Sequence, residues 1–215
     1  MNFDQLSLTK KENTEEYWNI ISHFWGLVLS MVGGVLLLQK AAHNEYQWAS
    51  LSAGIFITSM IMVYAASSLY HYHWNKASKN KFRILDHICI YYLIAGSYTP
   101  FMVLVFDQQS GIFMLKAIWG IAFFGTIFKL FFTGKFEIIS IALYLAMGWL
   151  AVFEIDQLIT ETPRMSLIFI GVGGVAYTIG AFIYAIDKIK FNHVIWHVFV
   201  LMGSFFHYLA VYNIL

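Results

Sequence analysis

The chain has 215 residues, of which 60% are hydrophobic and 12% charged, with a formal net charge of +1 and a mean hydropathy of +0.67. That is too apolar for a soluble domain of this size and marks a membrane protein, for which no nucleic-acid partner is expected, while the net charge itself says little about partners. A single cysteine, Cys89, excludes an intrachain disulfide.

Runs of mostly uncharged residues long enough to cross roughly 30 Å of hydrocarbon as helices recur seven times. They fall over roughly 17–39, 49–72, 84–106, 111–132, 137–154, 166–186 and 193–213. The expected fold is therefore all-α, a polytopic membrane protein whose residues 17–213 form a seven-transmembrane-helix bundle. Residues 1–16 are short, polar and mixed in charge, with no apolar core ahead of a cleavage site, so the first span itself is expected to direct insertion.

Cytoplasmic loops retain Lys and Arg, which sets the orientation. Lys10, Lys11, Lys76, Lys79, Lys81, Arg83, Lys129, Lys135, Lys188 and Lys190 flank the N-terminus and loops two, four and six. Only Lys40, Lys116 and Arg164 lie on the opposite side. The asymmetry places the N-terminus in the cytoplasm and Leu215 outside, in a multi-pass protein of the cell membrane.

Polar residues can then be assigned a depth. His23 lies six residues into span one, where it either lines a cavity or makes a packing hydrogen bond. Span two runs outside to inside, which puts His71 at its cytoplasmic end, with Ser67 one turn earlier on the same face. Span three starts on that side and carries Asp86 in its first turn. A carboxylate inside an apolar span costs about 2.5 to 3.5 kcal/mol on insertion scales and is a functional candidate by default. Span six, "IFIGVGGVAYTIGAFIYA", holds Gly171, Gly173, Gly174 and Gly180, which allow close backbone approach. Span seven opens with "NHVIWH", placing His193 and His197 four apart on one face.

The remaining candidates are weaker. His43, His73 and His87 read as interfacial residues. His207 lies ten residues past His197, about 15 Å along a helix, too far to share an ion with it. Cys89, one turn from Asp86, reads as a small buried side chain.

Three segments distant in sequence thus deliver Ser67, His71, Asp86, His193 and His197 to one level of the membrane. Three histidines with a water in the fourth position is the ligand set of a catalytic rather than a closed structural zinc. Asp86 could serve as a fourth ligand, but is expected instead to hold and activate that water through its carboxylate, and Ser67 to donate to the water or to a substrate carbonyl.

The stretches "SSLYH", "LDH", "IAGSYTPF", "YLAMGW", "GGVAYTIGAFIYA" and "HVIWHVFVLMGSFFHYLAVY" also carry a resemblance. From about Glu15 to Tyr212 the chain resembles the hemolysin III family, the bacterial branch of the progestin and adipoQ receptor membrane proteins. At the level of the S-x-x-x-H, D and H-x-x-x-H set it is similar to adiponectin receptors and alkaline ceramidases. That resemblance implies a zinc ion near the cytoplasmic face held by His71, His193 and His197, with Asp86 on the zinc water and Ser67 supporting it. The activity it suggests is metal-dependent hydrolysis of a lipid amide or ester, with a membrane lipid as substrate or ligand. The alternative is a non-enzymatic sensor or homeostasis protein with structural zinc. A cytolytic pore ranks below both, because apart from Asp86 no span shows the repeated polar face of a water-filled channel.

Overall fold

The computed structural model describes the backbone of residues 3–215 and the side chains of residues 14–215. Among these residues helices joined by short loops make up the chain, with no strand.

The first helix, α1 (Phe3–Ala42), runs on from the polar segment into the first span without a break. No Gly or Pro precedes Gly26, so nothing in the sequence interrupts it. Helix α2 covers Ala49–Tyr72, and α3 covers Lys76–Leu104. Asn75 starts α3 by accepting the N–H groups of Ala77 and Ser78 on its side-chain oxygen, at 2.9 and 3.4 Å. The helix thus begins eight residues before the expected apolar boundary at 84, and Asp86 lies in its third turn rather than its first.

Asp107 caps α4 (Gln108–Phe132) in the same way. The fifth span departs from expectation. Instead of one helix ending near 154, α5 (Glu137–Gly148) stops, a 3-10 turn covers Leu150–Glu154, and α6 (Ile155–Glu161) completes the crossing. Tyr98 of α3 holds this break: its hydroxyl donates to the Gly148 carbonyl at 2.8 Å and accepts the Ala151 N–H at 3.0 Å. Two further helices, α7 (Arg164–Tyr184) and α8 (Asn192–Ile214), close the bundle.

These elements supply seven helices long and apolar enough to span a membrane, as expected. Helix α3 is the hub, packing on α2, α4, α5 and α8, while α8 also packs along α7 and α1, and α1 along α2. Within the most apolar stretch of each span, 67% of residues are buried in α3 but only 11% in the fifth span, which therefore faces lipid. Of the glycines expected to serve packing, Gly173 and Gly180 do, beneath His207 and between Trp196 and Phe199 of α8. Gly171 and Gly174 leave open space instead and line apolar cavities.

Because successive spans alternate in direction, loops 73–75, 133–136 and 185–191 lie at one end of the bundle with residues 14–16. Two of these loops are strained. Phe136 and Phe191 adopt left-handed backbone, with φ of 55° and 60°, immediately before α5 and α8.

Candidate metal centre

His71, at the last turn of α2, and His193 and His197, in the first two turns of α8, meet at this end of the bundle. Each presents a ring nitrogen within 4.8 Å of the others. Ring centroids lie 4.8 Å apart for His71 and His193, 5.0 Å for His71 and His197, and 4.7 Å for His193 and His197. His71 and His197 are each 1% exposed. The set of three imidazoles from two helices suits a divalent transition metal such as zinc, and the orphaned Nε2 of His71 supports that fit, since it is buried with no hydrogen-bond partner.

Asp86 is buried and lines the same elongated cavity as His193 and His197. Ser67 is fully buried one turn before His71, and its hydroxyl is within electrostatic reach of the Asp86 carboxyl without forming a hydrogen bond of full geometry. Of the sequence-derived set, His71, His193 and His197 are brought together, while Asp86, like Cys89, is buried outside that group of donors and Ser67 is buried one turn before His71.

A cavity leads away from the histidines between α3, α5, α7 and α8. Asp86, His193 and His197 line one end, and Trp149, Gly174 and His207 the other. His193 and His207 are 14 residues apart on α8, so this apolar path is roughly 21 Å long. A second apolar cavity shares Ser97, Tyr98, Trp149, Gly174 and His207 with it. His87, expected to be interfacial, lines the first cavity and lies 3.7 Å from Glu137, whereas His73 stays at the helix end, bonded to the Leu69 carbonyl.

Four features were not visible in the sequence reading. Glu16 bonds Nδ1 of His71 through Oε2 at 2.5 Å, and accepts Lys79 on Oε1 at 2.5 Å. Ser22 lies 3.2 Å from Nδ1 of His197. His23, left open between two roles, stacks on His197. Lys129, counted with the basic loop residues, is fully buried and joins Arg83 on Glu137, at 3.3 and 3.0 Å. Glu16 and His23 are seven apart and share one face of α1, with Ser22 at the edge of that face, but nothing in the sequence says that this face meets α2 and α8.

A seven-span helical membrane protein with a cluster of three histidines, two of them buried, at one end of the bundle is the class that this architecture defines. The chain belongs to the haemolysin III family: the family profile described as "Haemolysin-III related" matches residues 11–208. Among its relatives, the "Hemolysin-3 homolog" of Bacillus subtilis (strain 168) is 38% identical over 190 residues, covering 88% of this chain and 89% of that protein. The "Hemolysin-3" of Bacillus cereus is 36% identical over the same length, covering 88% and 87%. The human "Monocyte to macrophage differentiation factor" is 27% identical over 203 residues, covering 92% and 83%.

Proposed function

We propose that this protein is a zinc-dependent membrane hydrolase acting on a lipid amide or ester, with its site on the cytoplasmic side. The observation that carries the reading is the convergence of three imidazole donors, within 4.8 Å of one another, with a buried carboxylic acid at the head of an apolar cavity.

His71, His193 and His197 would hold the ion. A zinc ion in such a site polarises a carbonyl and lowers the pKa of water to about 7. Asp86 accepts the proton that the attacking water gives up and returns it to the leaving group. Ser67 orients that carboxyl and can donate to a carbonyl oxygen as negative charge develops there. The apolar walls along Ile90, Ile94 and Val200 receive the acyl chain and keep bulk water from the reacting carbonyl. A cluster near the end of the bundle is compatible with a substrate carbonyl at headgroup depth. The excess of Lys and Arg at the same end supports a cytoplasmic location.

The test is metal analysis of detergent-purified protein together with turnover of a broad panel of lipid amides and esters in mixed micelles. Wild type is expected to hold one zinc and to release fatty acid from a member of the panel. His71→Ala should lose the metal, and Asp86→Asn should keep it while losing about 10²- to 10⁴-fold in rate. Protein with stoichiometric zinc whose His71→Ala and Asp86→Asn variants match wild type in turnover would end the hydrolase reading.

A second reading has its own support. Among the described residues α2 and α8 share no extended packing face, so an ion on His71, His193 and His197 would tie together two helices that otherwise meet through α1 and α3. In that non-enzymatic protein zinc is structural. His193→Ala should then unfold it, whereas a catalytic centre tolerates the change with activity lost.

A further inference from the structure

We propose that α1 is the orienting shell of the metal centre: Glu16 and Ser22 are positioning residues that make His71 and His197 present Nε2, rather than Nδ1, to the ion. This rests on the metal reading above and adds to it the groups that decide which nitrogen of each ring is the ligand.

An imidazole has two nitrogens, and the hydrogen bond made by one determines which tautomer the other adopts. For His71 the structure leaves one choice. Nδ1 faces the Glu16 carboxylate at 2.5 Å, an acceptor only, so Nδ1 carries the proton and donates it. The lone pair is then on Nε2, the buried nitrogen that has no partner. The other carboxylate oxygen accepts Lys79 and so ties α1 to α3, while Oε2 alone meets the ring. A carboxylate behind a ligating histidine also makes the ring a stronger donor to a cation.

For His197 the same logic runs through a hydroxyl. Ser22 has one proton and donates it to the Asn19 carbonyl at 2.9 Å. Its oxygen can then only accept from Nδ1 of His197, 3.2 Å away, which again leaves Nε2 unprotonated. His23 adds a steric constraint, since its ring stacks on His197 with centroids 3.6 Å apart and stops that ring from turning. All three constraints come from one helix, and from one short stretch of it. Two of the three imidazoles therefore have their tautomer and ring plane set by α1, although α1 itself contributes no ligand.

The test is zinc affinity by chelator competition on purified protein, with the visible spectrum of the cobalt(II)-substituted form as a readout of ligand geometry. Glu16→Gln should bind zinc roughly 10- to 100-fold more weakly and shift the cobalt bands, and Ser22→Ala should weaken binding roughly tenfold. Lys79→Met removes the tie between α1 and α3 but leaves the carboxylate on His71, so its affinity and cobalt spectrum should stay close to wild type. A Glu16 that serves only to join helices would behave oppositely, with Lys79→Met and Glu16→Gln matching each other in thermal stability and in zinc affinity. Glu16→Gln and Ser22→Ala that bind zinc as tightly as wild type, with unchanged cobalt bands, would overturn the proposal. If Glu16→Gln does not fold, Ser22→Ala decides alone, because its lost hydroxyl is small. Wild-type protein that binds no zinc would overturn the metal centre itself, and this assignment with it.

Discussion

The imidazole rings of His23 and His197 stack face to face, with centroids 3.6 Å apart and planes 14° from parallel. His23 also meets the edge of Tyr64, at 5.1 Å, and neither of its ring nitrogens forms a hydrogen bond of full geometry. Its contribution is a flat ring packed between α2 and α8. His23→Phe is expected to unfold at or slightly above the wild-type temperature, because two buried nitrogens without a full hydrogen bond are removed and the ring is kept. His23→Ala should lose about 2 kcal/mol or more to the cavity left behind. Thermal unfolding in detergent checks both. A His23→Phe protein as unstable as His23→Ala would mean that the nitrogens, through water, matter more than the ring.

Charge burial around Glu137 is asymmetric, and so should be the cost of disturbing it. Lys129 is fully buried and its nearest carboxylate is Glu137 at 3.3 Å. Glu137 has other donors, namely Arg83 at 3.0 Å and the Gly134 N–H at 3.1 Å. Glu137→Ala strands a buried ammonium and should cost about 3–5 kcal/mol. Lys129→Met leaves Glu137 still paired and should cost clearly less. Equal losses in a chemical denaturation series would contradict this account.

Tyr98 holds the break in the fifth span with one hydroxyl. Tyr98→Phe leaves the Gly148 carbonyl with one donor fewer and the Ala151 N–H without its acceptor, a loss of about 1–3 kcal/mol. The effect should be local, so amide exchange across 148–154 should quicken while the middle of α3 is unaffected. Unchanged exchange at Ala151 would show that the turn stands without Tyr98.

Acid should loosen the opposite end of the bundle. Asp107, between α3 and α4, has its carboxyl held below the ordinary aspartate value of 3.8, first by the N–H of Ser110 and then by the Gln157 side chain. A depressed folded-state pKa means that this stabilisation is fully present above the unfolded value and is lost as pH falls through the folded one. Stability should therefore decline below about pH 4, and Asp107→Asn should flatten that part of the profile. Melting temperatures of the two proteins between pH 3 and 7 provide the comparison, and superimposable curves would remove Asp107 from the explanation.

Much of the site was legible because depth in a membrane can be counted along a helix. Ser67 with His71, and His193 with His197, share faces by their spacing of four, and alternating spans bring both pairs toward one end of the bundle. The burial of Lys129 was not legible, because charge counting takes a lysine near a span end as a loop residue. Nor was Glu16, whose partner lies 55 residues away.

The sequence by itself determined that the chain is a seven-helix membrane protein and that His71, His193 and His197 lie toward one end of its bundle. Hydrocarbon admits only spans of about twenty apolar residues whose backbone bonds are made internally. The tertiary structure alone decided how each helix is rotated about its axis: that Glu16 faces His71, that His23 lies on His197, and that the fifth span breaks beneath Tyr98. Lipid tails are as apolar as leucine, so the faces that meet each other and the faces that meet lipid look alike in composition, and only close packing and buried polar contacts distinguish them.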